Sequence, residues 1–248
     1  MLQVYLDKVK NVRCVVSKVN IIESTFRNFR MELLAGEQDT KVLVKQNGAR
    51  FEFDFADVYW NPRLCTEHSR VIEQLRSGDV LYDVFAGVGP FAIPAARKGC
   101  AVFANDLNPH SFAWLNHNVK LNKVTNRVTT YNLDGREFIR EVIVRTDDLE
   151  KKSEEGSVRV HCYCFVKGEE GVAGAKRKAE EGLKRPMDKD VQVSFVRNVA
   201  PNKDMMRVSF DLSLDVLRGV ECQPPVKRCK VEGEEGGGEA SVTVSGVE

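Results

Sequence analysis

The chain has 248 residues, of which 42% are hydrophobic and 29% charged, a composition typical of a folded protein with one or two domains rather than a disordered one. Its 37 lysine and arginine residues nearly balance its 36 aspartate and glutamate residues, so net charge alone indicates no partner. Neither a run of about 18 apolar residues nor the apolar core of a signal peptide occurs, so we expect no membrane span and no secretory leader.

Seven cysteines occur, and none forms a Cys-x-x-Cys pair. An odd number of cysteines without the spacing of metal ligands is typical of reduced thiols. We therefore predict neither a disulfide framework nor a metal site.

The first sixty residues have the patterns of β-strands. Two short runs, VRCVVSKV (12–19) and FRMELL (29–34), mix apolar and polar residues. The segment KVLVKQNGARFEFDF (41–55) has Asn47-Gly48 between two alternating runs, which is the strongest local signal for a β-hairpin. Residues 1–60 are therefore predicted to be a β-rich subdomain.

From residue 61 onwards, helix and strand patterns alternate with short connections. The predicted helices are RLCTEHSRVIEQL (63–75), FAIPAARKG (91–99) and HSFAWLNHNVKLN (110–122), and the strands that alternate with them are VLYDVFAG (80–87), AVFANDL (101–107) and VTTYNLD (128–134). Such alternation predicts a parallel sheet with helices on its faces. The predicted fold class is α/β, a Rossmann-like sheet over residues 61–217 preceded by the small β-rich subdomain.

Beyond residue 140 the alternation stops, because the segment from 140 to 160 is highly charged and poorly periodic. Further on, the pattern predicts a strand, a helix and two strands joined by a short turn that pair antiparallel at a sheet edge; these are 158–166, 173–184, 191–199 and 206–214. The end of the chain is rich in glycine and glutamate. Residues 218–248 are therefore predicted to be a disordered tail.

Three successive strand ends carry groups suited to a nucleoside. The loop DVFAGVGP, which contains Gly87, follows an apolar strand and leads into a helix. Asp106 ends the next strand, 19 positions after Gly87, where an acidic residue meets a ribose in nucleotide-binding βαβ units. Asp134-Gly135 ends the third strand. An alternative for both aspartates is that they only cap loops. Because the loop has no Gly-x-Gly-x-x-Gly pattern, it favours S-adenosylmethionine over NAD.

Several long strings resemble the archaeal/eukaryotic tRNA (guanine-37) N1-methyltransferase family, and in particular its vertebrate members. The strings are VYWNPRLCTEHSR, DVFAGVGPFAIPAARKGCAVFANDLNP, NLDGREF, VHCYCFVK and VRNVAPNKDM. The resemblance runs from about residue 12 to 230, and it is highly specific because several long strings match in order.

This resemblance implies a set of site residues. The positions that match S-adenosylmethionine contacts of the family are His68, Asp106, Leu107, Asp134 and Gly135. Glu67 matches the proposed general base, and Arg27 matches the arginine that stabilises charge on the target base. Tyr59 and Asn108 match further active-site positions.

The resemblance also implies an activity. The expected reaction is methyl transfer from S-adenosyl-L-methionine to N1 of guanine-37, beside the anticodon in the tRNA anticodon loop. Members of the family are generally monomers, and they act in the cytoplasm, the nucleus and the mitochondrial matrix. The expected partner is therefore tRNA, with no membrane.

Two departures from the family pattern bear on these expectations. The family has an N-terminal tRNA-recognition domain before the β-rich region, which this sequence does not include, and we expect no mitochondrial targeting segment in it either. Between NLDGREF and VHCYCF the family has a strand that ends in an Asn-Leu-Pro motif, followed by a helix. Here REVIVRTDDLEKKSEEGSVR takes that place, so we predict an internal deletion near 140–160. The loss of a strand beside the first strand of the sheet should reduce core burial and remove one wall of the pocket.

Three alternatives remain open. One is a catalytically inactive remnant that binds tRNA or cofactor, which the absent motif favours. A second is the related wybutosine-pathway aminocarboxypropyl transferase, although NDLNP and YWNPRLCTEH favour the methyltransferase. A third, an NAD-dependent enzyme, fits the glycine pattern poorly.

Overall fold

The computed structural model describes residues 2–19, 26, 31–144, 157–187, 190–218 and 241–244. Within these ranges the α-helices are α1 (Leu2–Lys8), α2 (Cys65–Gln74), α3 (Ala92–Lys98), α4 (Pro109–Leu121), α5 (Gly135–Phe138), α6 (Gly171–Leu183) and α7 (Leu214–Leu217). A 3-10 turn (Pro62–Leu64) leads into α2, and a π-helical turn (Ile139–Ile143) continues α5. No described helix is long and apolar enough to cross a bilayer.

Eleven strands lie in the described part of the chain. They are β1 (Cys14–Lys18), β2 (Met31–Gly36), β3 (Lys41–Gln46), β4 (Ala49–Asp54), β5 (Val80–Asp83), β6 (Ala101–Asn105), β7 (Val128–Tyr131), β8 (Ser157–Lys167), β9 (Gln192–Ala200), β10 (Lys203–Ser213) and β11 (Ser241–Val244). Seven of them form one sheet in the order β7-β6-β5-β11-β8-β10-β9, while β1-β2 and β3-β4 form separate antiparallel pairs.

The central sheet confirms the predicted α/β class. Strands β7, β6, β5, β11 and β8 run parallel, and β10 pairs antiparallel with both β8 and β9 at the far edge. The predicted antiparallel pair at a sheet edge is therefore confirmed. Each of β5 and β6 leads into a helix, and Gly99 ends α3 in the left-handed region (φ 107°), as the sequence predicts.

The predicted hairpin forms at the expected turn. Asn47 and Gly48 both have positive φ, 49° and 71°, between the paired ends Gln46 and Ala49. The hairpin is not isolated from the α/β sheet, because Phe51 and Phe53 are fully buried in the same core as α2, α3 and α4. Helix α1 was missed, because the first residues were assigned to β structure.

The expectation of a disordered tail is wrong for residues 241–244. These residues form β11, whose backbone pairs with Leu81–Asp83 of β5 on one side and with 159–162 of β8 on the other. The predicted gap in the sheet beside β5 is therefore filled by a strand from the end of the chain. Parallel pairing on both sides satisfies backbone groups of β5 and β8 that would otherwise lie unpaired in the middle of the sheet.

One face of the sheet carries an apolar cavity. This cavity of about 350 Å³ lies over β8 and β10, between the π-helical turn and α6. Its walls include Ile143, Val160, Leu183 and Phe210. The strand position is thus filled, while the sheet face beside it has room for more apolar side chains. Residues 145–156, which hold most of the predicted deletion site, lie outside the described residues.

Candidate functional site

Asn105, at the end of β6, connects the carboxyl ends of three strands. Its buried side-chain amide donates to the carbonyl oxygens of Val84 and Leu133, both at 3.0 Å, and its Oδ1 accepts from the Leu133 amide at 2.9 Å. Its own carbonyl accepts from Ala86 N–H at 2.7 Å. One side chain therefore fixes the spacing of the loops after β5, β6 and β7.

The loop after β5 is built around Gly87. This residue has φ 55°, and a Cβ there would meet no atom within 4 Å, so the loop leaves open space above it. The Gly87 amide donates to Asp106 Oδ2 at 2.7 Å, and the Asn108 amide donates to Oδ1 at 2.9 Å. Asp106 thus joins two loops, as the loop-cap alternative predicts. Since a carboxylate has about four acceptor sites, it keeps acceptor capacity for a ligand.

Asp83, at the end of β5, is a buried acid that the sequence analysis did not select. It is fully buried, and neither of its carboxyl oxygens makes a hydrogen bond of ordinary geometry to a described residue. Burial, and to a lesser extent the neighbouring Asp106 charge, raise the pKa of Asp83 to about 8, while the Phe85 amide opposes the rise. Burial also raises the pKa of Asp106, against the two amides that it accepts from. The pair is therefore suited to a cation.

Two apolar side chains lie beside these acids at the rim of the sheet. Phe85 and Leu107 are 42% and 43% exposed, which is unusual for residues of their size. Phe85 contacts Gly135, where an added Cβ would lie 2.9 Å from its ring. Asp134 is exposed and accepts from the Arg136 amide at 2.9 Å as the N-cap of α5. The third strand end therefore combines a helix cap at Asp134 with a close contact between Gly135 and the Phe85 ring.

Asn108 and Tyr59 lie near the second strand end, but their roles differ. The Asn108 side chain is buried and both of its polar atoms are hydrogen-bonded, because its Oδ1 accepts from His110 N–H and its Nδ2 donates to the Asp57 carbonyl, both at 3.0 Å. The structure thus gives Asn108 the role of a helix cap. Tyr59 is 50% exposed, and its hydroxyl accepts a 3.3 Å hydrogen bond from Asn61. Its ring is therefore available to a large ligand.

Helix α2 brings two predicted site residues, His68 and Glu67, towards the glycine loop. His68 is buried, with its ring edge-on to Phe91 at 4.7 Å, just before α3. Its Nδ1 lies 2.7 Å from the Gln46 side-chain amide. Burial lowers the pKa of His68 to about 4, so the ring is neutral at physiological pH. With Nδ1 accepting from Gln46, the proton of the ring lies on Nε2.

Glu67 lies at the centre of a buried charge cluster, which consists of Glu67, Tyr163 and Arg207. Glu67 is 3% exposed, and its Oε1 accepts from Arg207 Nη1 at 2.8 Å and from the Tyr163 hydroxyl at 3.0 Å. Its Oε2 lies 3.4 Å from Arg70 Nη1, one turn along α2. A carboxylate that is buried and paired in this way is not the solvated helix residue that glutamate usually is.

The register of the sheet places this cluster at the same edge as the acids. Asp83 pairs with Thr243 of β11, and Thr243 pairs with His161 of β8. Tyr163 lies two residues beyond His161, about 6–7 Å further towards the carboxyl edge. The cluster therefore lies on the side of the sheet where the loops after β5, β6 and β7 emerge.

Arg27 lies outside the described residues, so its predicted role stays a prediction. The sequence analysis missed Asp83, Asn105, Tyr163 and Arg207. Asp83 and Asn105 carry a local signal, since each is the last residue of a buried strand. Tyr163 and Arg207 carry none, since they lie 96 and 140 residues from Glu67 in sequence.

Comparisons with known proteins cover the region of the chain that holds these residues. A profile of the TRM5/TYW2 methyltransferase domain matches residues 42–148, the range that includes the glycine loop and both rim acids. A tRNA (guanine(37)-N(1))-methyltransferase of Danio rerio is 49% identical over 247 aligned residues, which cover 87% of this chain and 52% of that protein. The chain spans about half the length of these curated relatives.

Two solved structures have a similar fold. Trm5b from Pyrococcus abyssi is 30% identical with a TM-score of 0.65, and the match covers 85% of this chain and 67% of that one. Trm5 from Methanocaldococcus jannaschii, solved in complex with adenosine, is 28% identical with a TM-score of 0.62, and the match covers 82% of this chain and 62% of that one.

Proposed function

Since this chain belongs to the TRM5/TYW2 methyltransferase family, we propose that it transfers a methyl group from S-adenosyl-L-methionine to N1 of guanine-37 in tRNA. The observation that carries the proposal is the Glu67 carboxylate, buried at the sheet edge that also holds Gly87 and Asp106. This edge of the sheet therefore holds both a candidate proton acceptor and residues suited to bind a nucleoside.

The residues at the rim fit S-adenosylmethionine. This cofactor carries a positive sulfonium, an ammonium group and the hydroxyl groups of a ribose, and when bound it supplies a methyl group on the charged sulfur. Asp83, buried without an ordinary hydrogen-bond partner, is suited to the cationic part, and Asp106 keeps acceptor capacity for a hydroxyl group. Phe85 and Leu107 offer exposed apolar surface for a purine ring. The adenosine bound to the Methanocaldococcus jannaschii relative supports the same assignment.

The target nitrogen determines what the protein must provide. N1 of guanine carries a proton at neutral pH, so its lone pair becomes available only when a base removes that proton. Glu67 is that base in this proposal. As the proton leaves, negative charge grows on the guanine carbonyl oxygen, which calls for a cation, and we assign this role to Arg27. We assign contact with the target base to Tyr59, whose ring is half exposed.

The remaining parts of the proposal concern the partner and the place of action. We propose that the chain recognises the anticodon loop of tRNA as a monomer, and that it acts in the cytoplasm, the nucleus and the mitochondrial matrix. The tRNA complex of a similar archaeal-type methyltransferase structure and the names of the curated relatives support the RNA partner. Size-exclusion chromatography with light scattering tests the monomer, and fractionation of cells that express the tagged chain tests its location.

The reaction is tested with purified chain, S-adenosylmethionine and two tRNA transcripts that differ only in G37 or A37. Mass spectrometry of the nucleosides should show methylguanosine from the first transcript alone. Glu67→Gln should lower the rate by about 10²- to 10⁴-fold, the range for loss of a general base, with unchanged cofactor affinity. The matched control is Glu73→Gln, an exposed glutamate on the same helix, which should keep the wild-type rate.

The outcome also separates the alternatives. A product heavier by an aminocarboxypropyl group identifies the related transferase. Cofactor binding in calorimetry without any product identifies a remnant that binds the cofactor. A Glu67→Gln variant with the wild-type rate contradicts the role of Glu67 as the base.

A further inference from the structure

The two partners of Glu67 in the charge cluster are direct neighbours on paired strands. Tyr163 of β8 and Arg207 of β10 are opposite each other in the antiparallel register. Arg207 is 8% exposed and Tyr163 4% exposed, so both are held within the sheet rather than on a loop. Strands β8 and β10 pair over eleven positions, which makes this a rigid part of the fold.

The donors are distributed unequally between the two oxygens of Glu67. Arg207 and Tyr163 both donate to Oε1, at 2.8 and 3.0 Å. Oε2 faces only the longer 3.4 Å contact to Arg70, whose side chain is 49% exposed, among the ion pairs of the described residues. Oε1 is therefore saturated, and Oε2 keeps acceptor capacity on the side of Glu67 that is nearer to solvent.

In its hydrogen bond with Glu67, the Tyr163 hydroxyl can act only as the donor. Burial raises the pKa of the Tyr163 hydroxyl, and the adjacent Glu67 charge raises it further. The hydroxyl therefore keeps its proton throughout the pH range in which the protein works. Arg207 is a permanent cation, and the pairing with Glu67 compensates its buried charge.

We propose that Arg207 and Tyr163 are positioning residues, which fix the Glu67 carboxylate through Oε1 so that Oε2 receives the N1 proton of guanine. The inference rests on the proposed function, because it assigns the geometry of the same base. The proton passes from N1 to Oε2, the nitrogen lone pair forms the new bond to the methyl carbon, and the bond from that carbon to sulfur breaks. Glu67 then returns its proton to solvent.

The test uses mild variants of the full chain that keep the strands intact. Tyr163→Phe removes one donor, and Arg207→Lys keeps the charge but changes its geometry. Because small misplacement of a reacting group slows a reaction by up to about 100-fold, each variant should lower kcat by about 10- to 100-fold. The KM for tRNA and the Kd for S-adenosylmethionine should stay within twofold of wild type. The matched control is Arg159→Lys, which alters the Arg159–Asp211 ion pair of the same two strands and should leave kcat unchanged.

A second measurement distinguishes positioning of Glu67 from a general effect on the fold. In a Glu67→Gln background, Tyr163→Phe should produce no further loss of kcat, because a residue that acts through Glu67 has nothing left to position. Independent losses that multiply overturn the inference. The inference is also overturned if the single variant Tyr163→Phe keeps the wild-type kcat while the single variant Glu67→Gln is inactive. In that case the proposed function survives. A wild-type chain that methylates no tRNA overturns both.

Discussion

The two halves of the central sheet are built in different ways. The half formed by β5, β6 and β7 is local, since each strand is followed by its own helix and the hydrogen bonds that shape its rim join residues 19 to 28 positions apart. The half formed by β11, β8, β10 and β9 is assembled from distant segments. Strand β11, the middle strand of the seven-stranded sheet, comes from residues 241–244.

This difference separates the two tasks of the site. The local half provides the glycine loop and the acids of the cofactor rim. The distant half provides the partners of Glu67, which come from 96 and 140 residues away. Damage to the first half should therefore affect mainly cofactor binding, whereas damage to the second should affect mainly stability and the environment of the base.

The largest expected effect lies in the distant half. Arg207→Met leaves the buried Glu67 charge without its partner and should lower the free energy of unfolding by about 3–5 kcal/mol. Adding Glu67→Gln should restore much of that stability, because the unpaired charge is then removed. Urea unfolding of the four chains measures this cycle.

The control for this cycle is Arg159→Met, which breaks an ion pair whose Asp211 side chain is 50% exposed. Solvent screening limits such a pair to about 1 kcal/mol or less. If Arg159→Met and Arg207→Met lower the free energy of unfolding equally, the buried charge cluster stabilises the fold no more than an exposed ion pair does.

In the local half, the largest effect should come from Asn105. Asn105→Leu removes three hydrogen bonds and leaves groups of Val84 and Leu133 unsatisfied, so we expect a loss of about 3 kcal/mol. The affinity for the cofactor should fall as well, because Asn105 no longer fixes the spacing of the loops after β5, β6 and β7. Thermal unfolding and calorimetry measure both quantities, and retention of cofactor affinity would show that the loops hold their places without Asn105.

The place of β11 predicts a somewhat smaller effect. Val242→Pro removes a backbone donor from a strand that pairs on both sides, and the disturbed ladder should lower stability by about 2 kcal/mol. Val242→Ile keeps the backbone amide and is the control. Hydrogen exchange of β5 and β8 amides should quicken in the proline variant, and unchanged protection there would contradict a central place for β11.

The smallest effect concerns the pH dependence of cofactor binding. Asp83, with a pKa of about 8, is mostly protonated below that pH, and a bound cation favours its ionised form. Binding should therefore release a proton, and affinity should rise with pH until about pH 8 and then level off. Calorimetry in buffers of different ionisation enthalpy measures the released proton.

Asp83→Asn should abolish this pH dependence and lower the affinity at pH 8 by about tenfold, the loss expected for one charge-assisted hydrogen bond. Its stability at pH 7 should change little, because asparagine resembles the protonated acid. An unchanged pH profile in Asp83→Asn would assign the effect to another group.

Features that depend on residues close together in sequence were the easier ones to predict. The Asn47-Gly48 hairpin and the end of α3 at Gly99 were predicted correctly, because each depends on residues within a few positions. The ligand role of Asp106 stays a prediction, whereas its hydrogen bonds to two loops are seen only in the structure. Helix α1 was missed because its alternating apolar residues fit a strand as well as a helix.

By itself, the sequence determined the alternation of strands and helices, the edge of the sheet where polar groups gather, and the family resemblance that selected Glu67. Only the tertiary structure decided that Arg207 and Tyr163 meet Glu67, and that residues 241–244 fill the centre of the sheet. The physical reason is that local patterns depend on the backbone geometry of neighbouring residues. Contacts across 96 or 140 residues depend on how whole strands pack, and no short pattern records that packing.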